Sequence, residues 1–258
     1  MMKNQTSQRI QKGFSLIEVI VSASIGTVVI LMMTFALRLG ADGFNEATHR
    51  IDALVEARAA MGTLADDVST IVGARNQDFG WRNTDERFHE VFFLTLKPIE
   101  SQDPDEAVGD VCFVHYFTAV TQDAPVPDAA FSRKLYRRFL SSGELIGSLN
   151  SGQLPQADAN PDQAEIVAFN VTRFVAQPLA SGGNFNPLIE WTPSRGLPEA
   201  LRVDFQVVDD DVARLLREEA DWNLGTPLAQ NLILENNEDD ESNRGRSFEL
   251  DLEIGHEN

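Results

Sequence analysis

A long run of apolar residues lies near the start of the chain. From Phe14 to Leu37 the only charged side chain is that of Glu18. A helix over these residues would be about 36 Å long, and the hydrocarbon core of a bilayer is about 30 Å thick. The pattern therefore predicts a membrane-spanning helix over residues 14–37.

Beyond Leu37 the apolar positions become one-sided. They recur at spacings of three and four residues as far as Ile71, with charged residues such as Glu56 and Asp67 between them. This periodicity predicts an amphipathic helix over residues 38–71 that continues the first helix and packs on a globular head. A free coiled coil is the alternative, but the heptad pattern is short and predicted strands follow it.

Two glycines lie where the apolar and amphipathic halves of this helix meet. They are Gly40 and Gly43. Glycine costs about 1 kcal/mol in a helix interior relative to alanine. A bend or a loosened segment is therefore expected at this point.

From about residue 80 the pattern changes to short stretches rich in β-branched and aromatic residues, separated by loops rich in Asp, Pro, Gly and Asn. The last stretch alternates apolar and acidic residues, which is typical of a half-exposed antiparallel strand. A short helix is expected at 211–219. The predicted strands are 91–96, 111–120, 135–140, 166–175, 188–191, 201–208 and 248–254. The chain is thus predicted to be α+β, with a long N-terminal helix packed on an antiparallel sheet.

Charge is distributed unevenly along the chain. Lys3, Arg9 and Lys12 precede the apolar run, whereas the net charge of all 258 residues is −19. Basic residues before a membrane helix favour the cytoplasmic side, so the large remainder is expected outside the cytoplasm. Nucleic acid is not expected as a direct partner, because binding a phosphate backbone requires clustered Lys and Arg.

A specific motif lies where the basic leader meets the apolar run. Its sequence is Lys12-Gly13-Phe14-Ser15-Leu16-Ile17-Glu18-Val19. It resembles the cleavage and methylation motif of the type IV pilin-like and pseudopilin family. The resemblance implies that a prepilin peptidase cuts after Gly13, on the cytoplasmic side, and methylates the new amino group of Phe14.

Glu18 has a physical implication of its own. A carboxylate in a membrane helix costs up to about 2.5–3.5 kcal/mol at the bilayer centre, so it usually marks a functional partner. Cleavage before Phe14 creates a cation one helical turn away. In the pilin family the partner is the N-terminus of the neighbouring subunit, and the resemblance therefore implies a role for Glu18 in assembly. The alternative is a Glu that snorkels to the lipid headgroups.

A different class of protein gives an alternative interpretation of the N-terminus. In it the chain is a monomeric, membrane-anchored, extracytoplasmic binding module that never assembles. Such a module would keep residues 1–13 or be cut by signal peptidase near Ala41-Asp42-Gly43. The apolar run is longer than the core of about 7–15 residues in an ordinary signal peptide, which disfavours a cut by signal peptidase.

Candidate ligands and catalytic groups are sparse in the head. Two acidic stretches carry hard oxygen ligands of the type that calcium prefers, but neither has the spacing of a known calcium loop. No cofactor is therefore predicted, with calcium as the alternative. A third stretch, Asp209–Asp211, is expected to cap the helix that follows it. The first two stretches comprise Asp103, Asp105, Glu106 and Asp110, and residues 235–241.

The remaining reactive residue types do not form a recognisable site. The four histidines lack metal-ligand spacing, and the single Cys112 cannot form an intramolecular disulfide. No nucleophile or nucleotide motif occurs in a suitable context. The chain is therefore predicted to be a substrate of a peptidase and not an enzyme.

Two further stretches resemble a subclass of the family. Residues 59–68, late in the helix, and residues 197–203, which lead into a strand, are similar to the J-type minor pseudopilin of type II secretion systems. The resemblance implies a minor subunit at or near the tip of a secretion or pilus-like filament. Its implied partners are prepilin peptidase, other pilin or pseudopilin subunits and an inner-membrane assembly platform.

The expected organisation follows from these features. A leader at 1–13 precedes a single membrane helix at 14–37, a stalk helix at 38–71 and an extracytoplasmic head at 72–258. The membrane is expected to be the inner, cytoplasmic membrane, with the head in the periplasm.

Overall fold

A computed structural model describes residues 15–73, 79–103, 105–126, 129–150, 158–179, 197–234 and 245–254. The chain divides into two compact units, Met1–Thr48 and His49–Asn258. The first unit contains the apolar part of the N-terminal helix, and the second contains the amphipathic part together with the sheet.

The N-terminal helix, α1, spans Leu16–Ser69. Gly40 and Gly43 are helical, so the chain is not unwound there, and the bend that was the other expectation stays a prediction. The helix ends before Ile71, the predicted last residue, because Ile71 and Val72 form a short strand paired with residues 94 and 95.

Within the described residues, the second unit contains one nine-stranded sheet. The strands are β1 Ile71–Val72, β2 Phe79–Asp85, β3 Phe88–Leu96, β4 Val111–Gln122, β5 Phe131–Leu140, β6 Glu165–Ala168, β7 Val171–Leu179, β8 Ala200–Val208 and β9 Gly245–Glu253. Their main order is β6-β5-β4-β3-β7-β8-β9, and β1 and β2 both pair with β3. The β3–β7 pair, through Phe88 and Phe174, is parallel, and the other pairs are antiparallel. The α+β prediction is confirmed, although the sheet is mixed and not wholly antiparallel.

Several strand predictions are confirmed with longer bounds, in β3, β4, β5 and β8. The strand predicted at 166–175 is confirmed except for its continuity, because Asn170 adopts the left-handed region with a φ of 55° and divides the stretch into β6 and β7. The last strand is confirmed in its alternation but ends before Ile254. The strand predicted at 188–191 lies outside the described residues.

The short helices differ from the prediction at 211–219. A helix at Asp210–Ala213, α3, stops early, and a 3-10 turn follows at Glu219–Trp222. The chain turns there because Leu216 and Trp222 are both buried, and the Trp222 Nε1–H donates to the carbonyls of Phe131 and Leu216 at 2.8 and 3.1 Å. Sequence analysis did not predict α2 at Ser142–Asn150 or α4 at Pro227–Ala229.

The core of the second unit lies between the C-terminal part of α1 and one face of the sheet. The amphipathic prediction is confirmed here, since the apolar face of α1 is buried at Ala57, Ala60, Met61, Leu64 and Val68. Burying a side chain of the size of Leu or Val contributes about 1.5–3 kcal/mol. Strand residues that complete this core include Val91, Phe93, Val114, Phe174, Leu201 and Phe205.

Candidate functional site

The apolar part of α1 has the length and composition of a membrane span. The stretch Leu16–Ala41 contains 26 residues with a mean hydropathy of 2.3, and none of it is buried within the chain. Leu16 and Leu37 are 81% and 73% exposed. Contiguous apolar surface of this extent is unfavourable in water, so lipid or other helices must cover it.

Hydroxyl groups within this apolar stretch are satisfied by the helix itself. Each of four hydroxyls donates to a carbonyl one turn earlier, at 2.7–2.9 Å. An unsatisfied polar group in a hydrocarbon core costs several kcal/mol, so these bonds let the stretch enter apolar surroundings. The four residues are Ser22, Ser24, Thr27 and Thr34.

Glu18 lies in the first turn of α1 with an exposed side chain. Its backbone N–H donates to the Ser15 carbonyl at 3.1 Å and to Ser15 Oγ at 3.3 Å, so Ser15 caps the helix. A negative charge in the first turn is also favoured by the helix dipole. The cap starts the helix directly after Phe14, the predicted new N-terminus.

The predicted cleavage site itself, Gly13 and Phe14, lies outside the described residues. Cleavage after Gly13, methylation of Phe14 and the assembly role of Glu18 therefore stay predictions. What the structure adds is the position of Glu18, at the start of a helix whose surface requires a covering partner.

A second site, which sequence analysis missed, joins the end of α1 to the sheet. The Asp67 side chain is 1% exposed. Arg137 donates to both of its oxygens, from Nε at 2.6 Å and from Nη2 at 3.1 Å. Tyr116 Oη donates to Oδ2 at 2.6 Å, and Lys97 Nζ lies 2.9 Å from Oδ1. One carboxylate thus binds three donors, carried by β4, β5 and the residue that follows β3.

Backbone groups extend the same junction. The Asp67 carbonyl accepts a hydrogen bond from Thr95 Oγ1 at 2.9 Å, and the Thr70 carbonyl accepts one from the Leu96 N–H at 2.9 Å. Apolar burial is non-directional, whereas these hydrogen bonds require defined distances and angles. The Asp67 cluster therefore sets the position of α1 along the strands.

The charges of the cluster shift the pKa values of its members. Burial alone would raise the pKa of Asp67, but hydrogen bonds and charge from Arg137, with further bonds from Tyr116 and Lys97, hold it below its usual range. Burial, reinforced by the Asp67 charge, raises the pKa of Tyr116 well above that of free tyrosine. At neutral pH, Asp67 is therefore ionised and Tyr116 is a neutral donor.

Glu56 makes another polar contact between α1 and the rest of the second unit. Its Oε1 accepts a hydrogen bond from the Phe169 N–H at 2.5 Å. Burial is the main cause that raises the pKa of Glu56, and the nearby Asp210 charge adds to it. The contact lies beside the turn at Phe169 and Asn170, where the left-handed residue divides two strands.

Two of the acidic residues considered as calcium ligands accept hydrogen bonds from the protein itself. Asp103 Oδ1 accepts from the Asp105 N–H at 3.0 Å, and Glu106 Oε2 accepts from Ser141 Oγ at 3.3 Å. Within the described ranges, no three His, Cys, Asp or Glu side chains are grouped so as to hold a metal ion. Residues 235–241 lie outside those ranges. Asp209 occupies the N-cap position of α3, as predicted, although its side chain makes no capping hydrogen bond to that helix.

His89, His115 and Cys112 are buried. Burial lowers the pKa of His89, whose Nδ1 lies 3.0 Å from the Ala176 carbonyl, and raises the pKa of the Cys112 thiol. Burial therefore favours the neutral imidazole of His89 and the neutral thiol of Cys112, as expected for side chains that pack in the sheet.

Comparison with known proteins finds a match near the start of the chain. Residues 8–34 match the family model of the prokaryotic N-terminal methylation motif. No curated protein and no solved structure matches the chain. The match covers Gly13, Phe14 and Glu18 together with the first part of the apolar helix, and it indicates processing by prepilin peptidase. The methylation motif, the apolar helix that it opens and the α+β architecture behind it together fit a type IV pilin-like protein, the group that includes the pseudopilins.

Proposed function

We propose that the chain is a minor pilin or pseudopilin subunit that assembles into a type II secretion or type IV pilus-like filament. The observation that carries this proposal is the exposed apolar stretch Leu16–Ala41, which has one acidic residue in its first turn. The methylation motif, matched over residues 8–34, covers the first part of this stretch. Prepilin peptidase removes residues 1–13 and methylates Phe14. The chain then acts as a structural subunit and not as an enzyme.

Glu18 supplies the register of assembly in this proposal. Among packed apolar helices an unpaired carboxylate is costly, because the surroundings cannot solvate its charge. The α-amino group of Phe14 on a neighbouring subunit remains a cation after methylation and can pair with it. The neighbouring helices then have one favoured axial offset, although their apolar surfaces alone would permit several.

The placement in the cell and in the filament follows from charge and size. The basic leader favours a cytoplasmic start, so a single span in the inner membrane puts the head in the periplasm. The large head and the resemblance of residues 59–68 and 197–203 to the J-type minor pseudopilin support a place at or near the filament tip. Assembly there requires other pilin-like subunits and the inner-membrane platform.

The proposal is tested by following the chain in its native host. Filaments are sheared from cells or released from membranes and sedimented, and the chain is quantified in the pellet. We expect it to co-sediment with other pilin-like subunits at low stoichiometry and to leave the pellet when a major subunit is deleted. A chain found only as a detergent-soluble monomer, with the deletion making no difference, would support the anchored binding module instead.

A further inference from the structure

The loop between β3 and β4 lies at the end of the sheet where α1 ends. The Leu96 N–H donates to the Thr70 carbonyl just past α1, and the Lys97 N–H donates to the Asp110 carbonyl at 2.8 Å. The described part of the loop is 97–103 and 105–110. Helix α2, which follows β5, packs at the same end.

The loop is fixed to α2 by one buried amide. Gln102, which is 6% exposed, donates from Nε2 to the carbonyls of Lys97 and Gly109, each at 2.8 Å. Its Oε1 accepts from the N–H and the Oγ of Ser142 at 3.1 and 3.0 Å. Ser142 Oγ in turn accepts from the N–H groups of Val108 and Gly109 at 2.9 and 3.0 Å. The loop and the start of α2 therefore form one rigid block.

A glycine makes the close approach within this block possible. The Gly143 N–H donates to the Glu106 carbonyl at 2.9 Å. A Cβ at residue 143 would lie 2.2 Å from that carbonyl oxygen. The contact is between backbones, so a side chain here would separate the loop from α2. A block that is already ordered loses little conformational entropy when a partner binds.

The block exposes apolar side chains instead of burying them. Leu96 and Val111 are direct partners in the β3–β4 pair and so lie on the same face. Leu96 and Ile99 also line a groove of about 470 Å³. Grouped apolar residues on a rigid surface are typical of interaction sites. The exposed fractions are 42% for Leu96, 46% for Ile99, 67% for Val108, 38% for Val111, 43% for Ile146 and 43% for Leu149.

Six acidic residues belong to the same block, and two of them, Glu100 and Asp110, line the groove beside Leu96 and Ile99. All six are exposed, whereas the ammonium group of Lys97 is directed at Asp67, 2.9 Å away. A second copy of the chain would bring like charges together, and an anionic lipid surface would be repelled as well. The acidic residues are Glu100, Asp103, Asp105, Glu106, Asp110 and Glu144.

We propose that these apolar and acidic residues form one docking surface, the loop-end surface, for a different protein whose contact face has an apolar centre and a rim of Lys and Arg. This inference rests on the proposed function, which makes that protein another subunit of the same filament. Its chemistry is defined by the surface itself, and it is neither a second copy of this chain nor a membrane.

The test uses the full chain in its native membrane with a photo-cross-linking residue at Ile99 or Ile146. Leu215, which is 54% exposed and lies outside the loop-end surface, provides the control position. We expect cross-links from both surface positions to one other protein, and none to it from Leu215. Mass spectrometry of the linked peptide should place Lys or Arg beside the cross-linked apolar residue.

Charge reversal supplies the decisive comparison. Glu100→Lys with Asp110→Lys should lower the cross-link yield by about tenfold or more, because juxtaposed like charges cost several kcal/mol. Reversing the partner's basic residues should restore the yield, and Glu253→Lys, on β9, should leave it unchanged. Each single reversal should give a smaller loss, and an unchanged melting temperature excludes misfolding.

Three outcomes would overturn the loop-end surface: a cross-link to a second copy or to lipid, an unchanged yield after charge reversal, or no cross-link from either position. Sequencing the N-terminus of the same preparation separates this failure from failure of the proposed function. A chain that starts at methylated Phe14 but does not cross-link contradicts the docking surface alone.

Discussion

Replacing Asp67 with alanine is expected to destabilise the second unit by about 3 kcal/mol, the lower end of the cost of removing one partner of a buried ion pair. Lys97, whose ammonium lies 2.9 Å from Asp67 Oδ1, would lose this partner, whereas Arg137, 2.6 Å from Oδ2, would keep the exposed Glu165 at 2.6 Å. Urea unfolding of the full chain in mild detergent, followed by tryptophan fluorescence, measures the change.

Asp66 is the matched control, because it is the same residue type in the same turn but is exposed. Asp66→Ala should change the free energy of unfolding by no more than about 0.5 kcal/mol, as surface substitutions usually do. Equal effects of the two substitutions would contradict the structural role of the Asp67 cluster.

The same cluster predicts how stability depends on pH. The folded pKa of Asp67 lies below its unfolded value. Its stabilising contribution is therefore complete above the unfolded pKa of about 3.9 and is lost as the pH falls through the folded value. Asp67→Ala should flatten the decline of unfolding free energy below about pH 4, while Asp66→Ala should keep it.

Replacing Glu18 with alanine is expected to leave leader cleavage intact and to reduce incorporation into filaments by about tenfold or more, which corresponds to the loss of about 1.4 kcal/mol. The cleavage site precedes Glu18, whereas the proposed ion pair needs its carboxylate. Quantifying the processed chain in membranes and in sedimented filaments separates the two steps.

Glu18→Gln is the matched comparison, because it keeps the length of the side chain and removes its charge. It should fail in the same way if the charge sets the register. Normal incorporation of both variants would show that Glu18 does not act in assembly, and loss of cleavage in either would assign it to peptidase recognition instead.

The elements that sequence analysis predicted are those with long, local patterns. An apolar run, followed by apolar residues that recur every three or four positions on one side of a helix, identifies α1 without knowledge of the sheet. The longer strands β4 and β8 are predicted because each alternates or is enriched in β-branched and aromatic residues over most of its length. The methylation motif is likewise local, and a family model matches it independently.

The features that were missed depend on residues distant in the chain. Asp67 lies at the edge of the apolar face of α1, three residues after the buried Leu64 and seven after Ala60. Because a charged side chain is expected in solvent, the sequence places it among the exposed residues. Its burial follows from contacts with Tyr116 and Arg137, 49 and 70 residues away. A strand as short as Ile71–Val72 has no period to detect. The break at Asn170 lies beside contacts of Phe169 with Glu56 and of Asn170 with Asp210, both distant in the chain.

Mass spectrometry of the N-terminal peptide of the mature chain, purified from native membranes, tests the central claim most directly. The account predicts one N-terminus, an N-methylated Phe14, with residues 1–13 absent. An N-terminus at Met1, or one at Phe44 after cleavage behind Gly43, would contradict it, because neither product carries the terminal amine that Glu18 is proposed to bind.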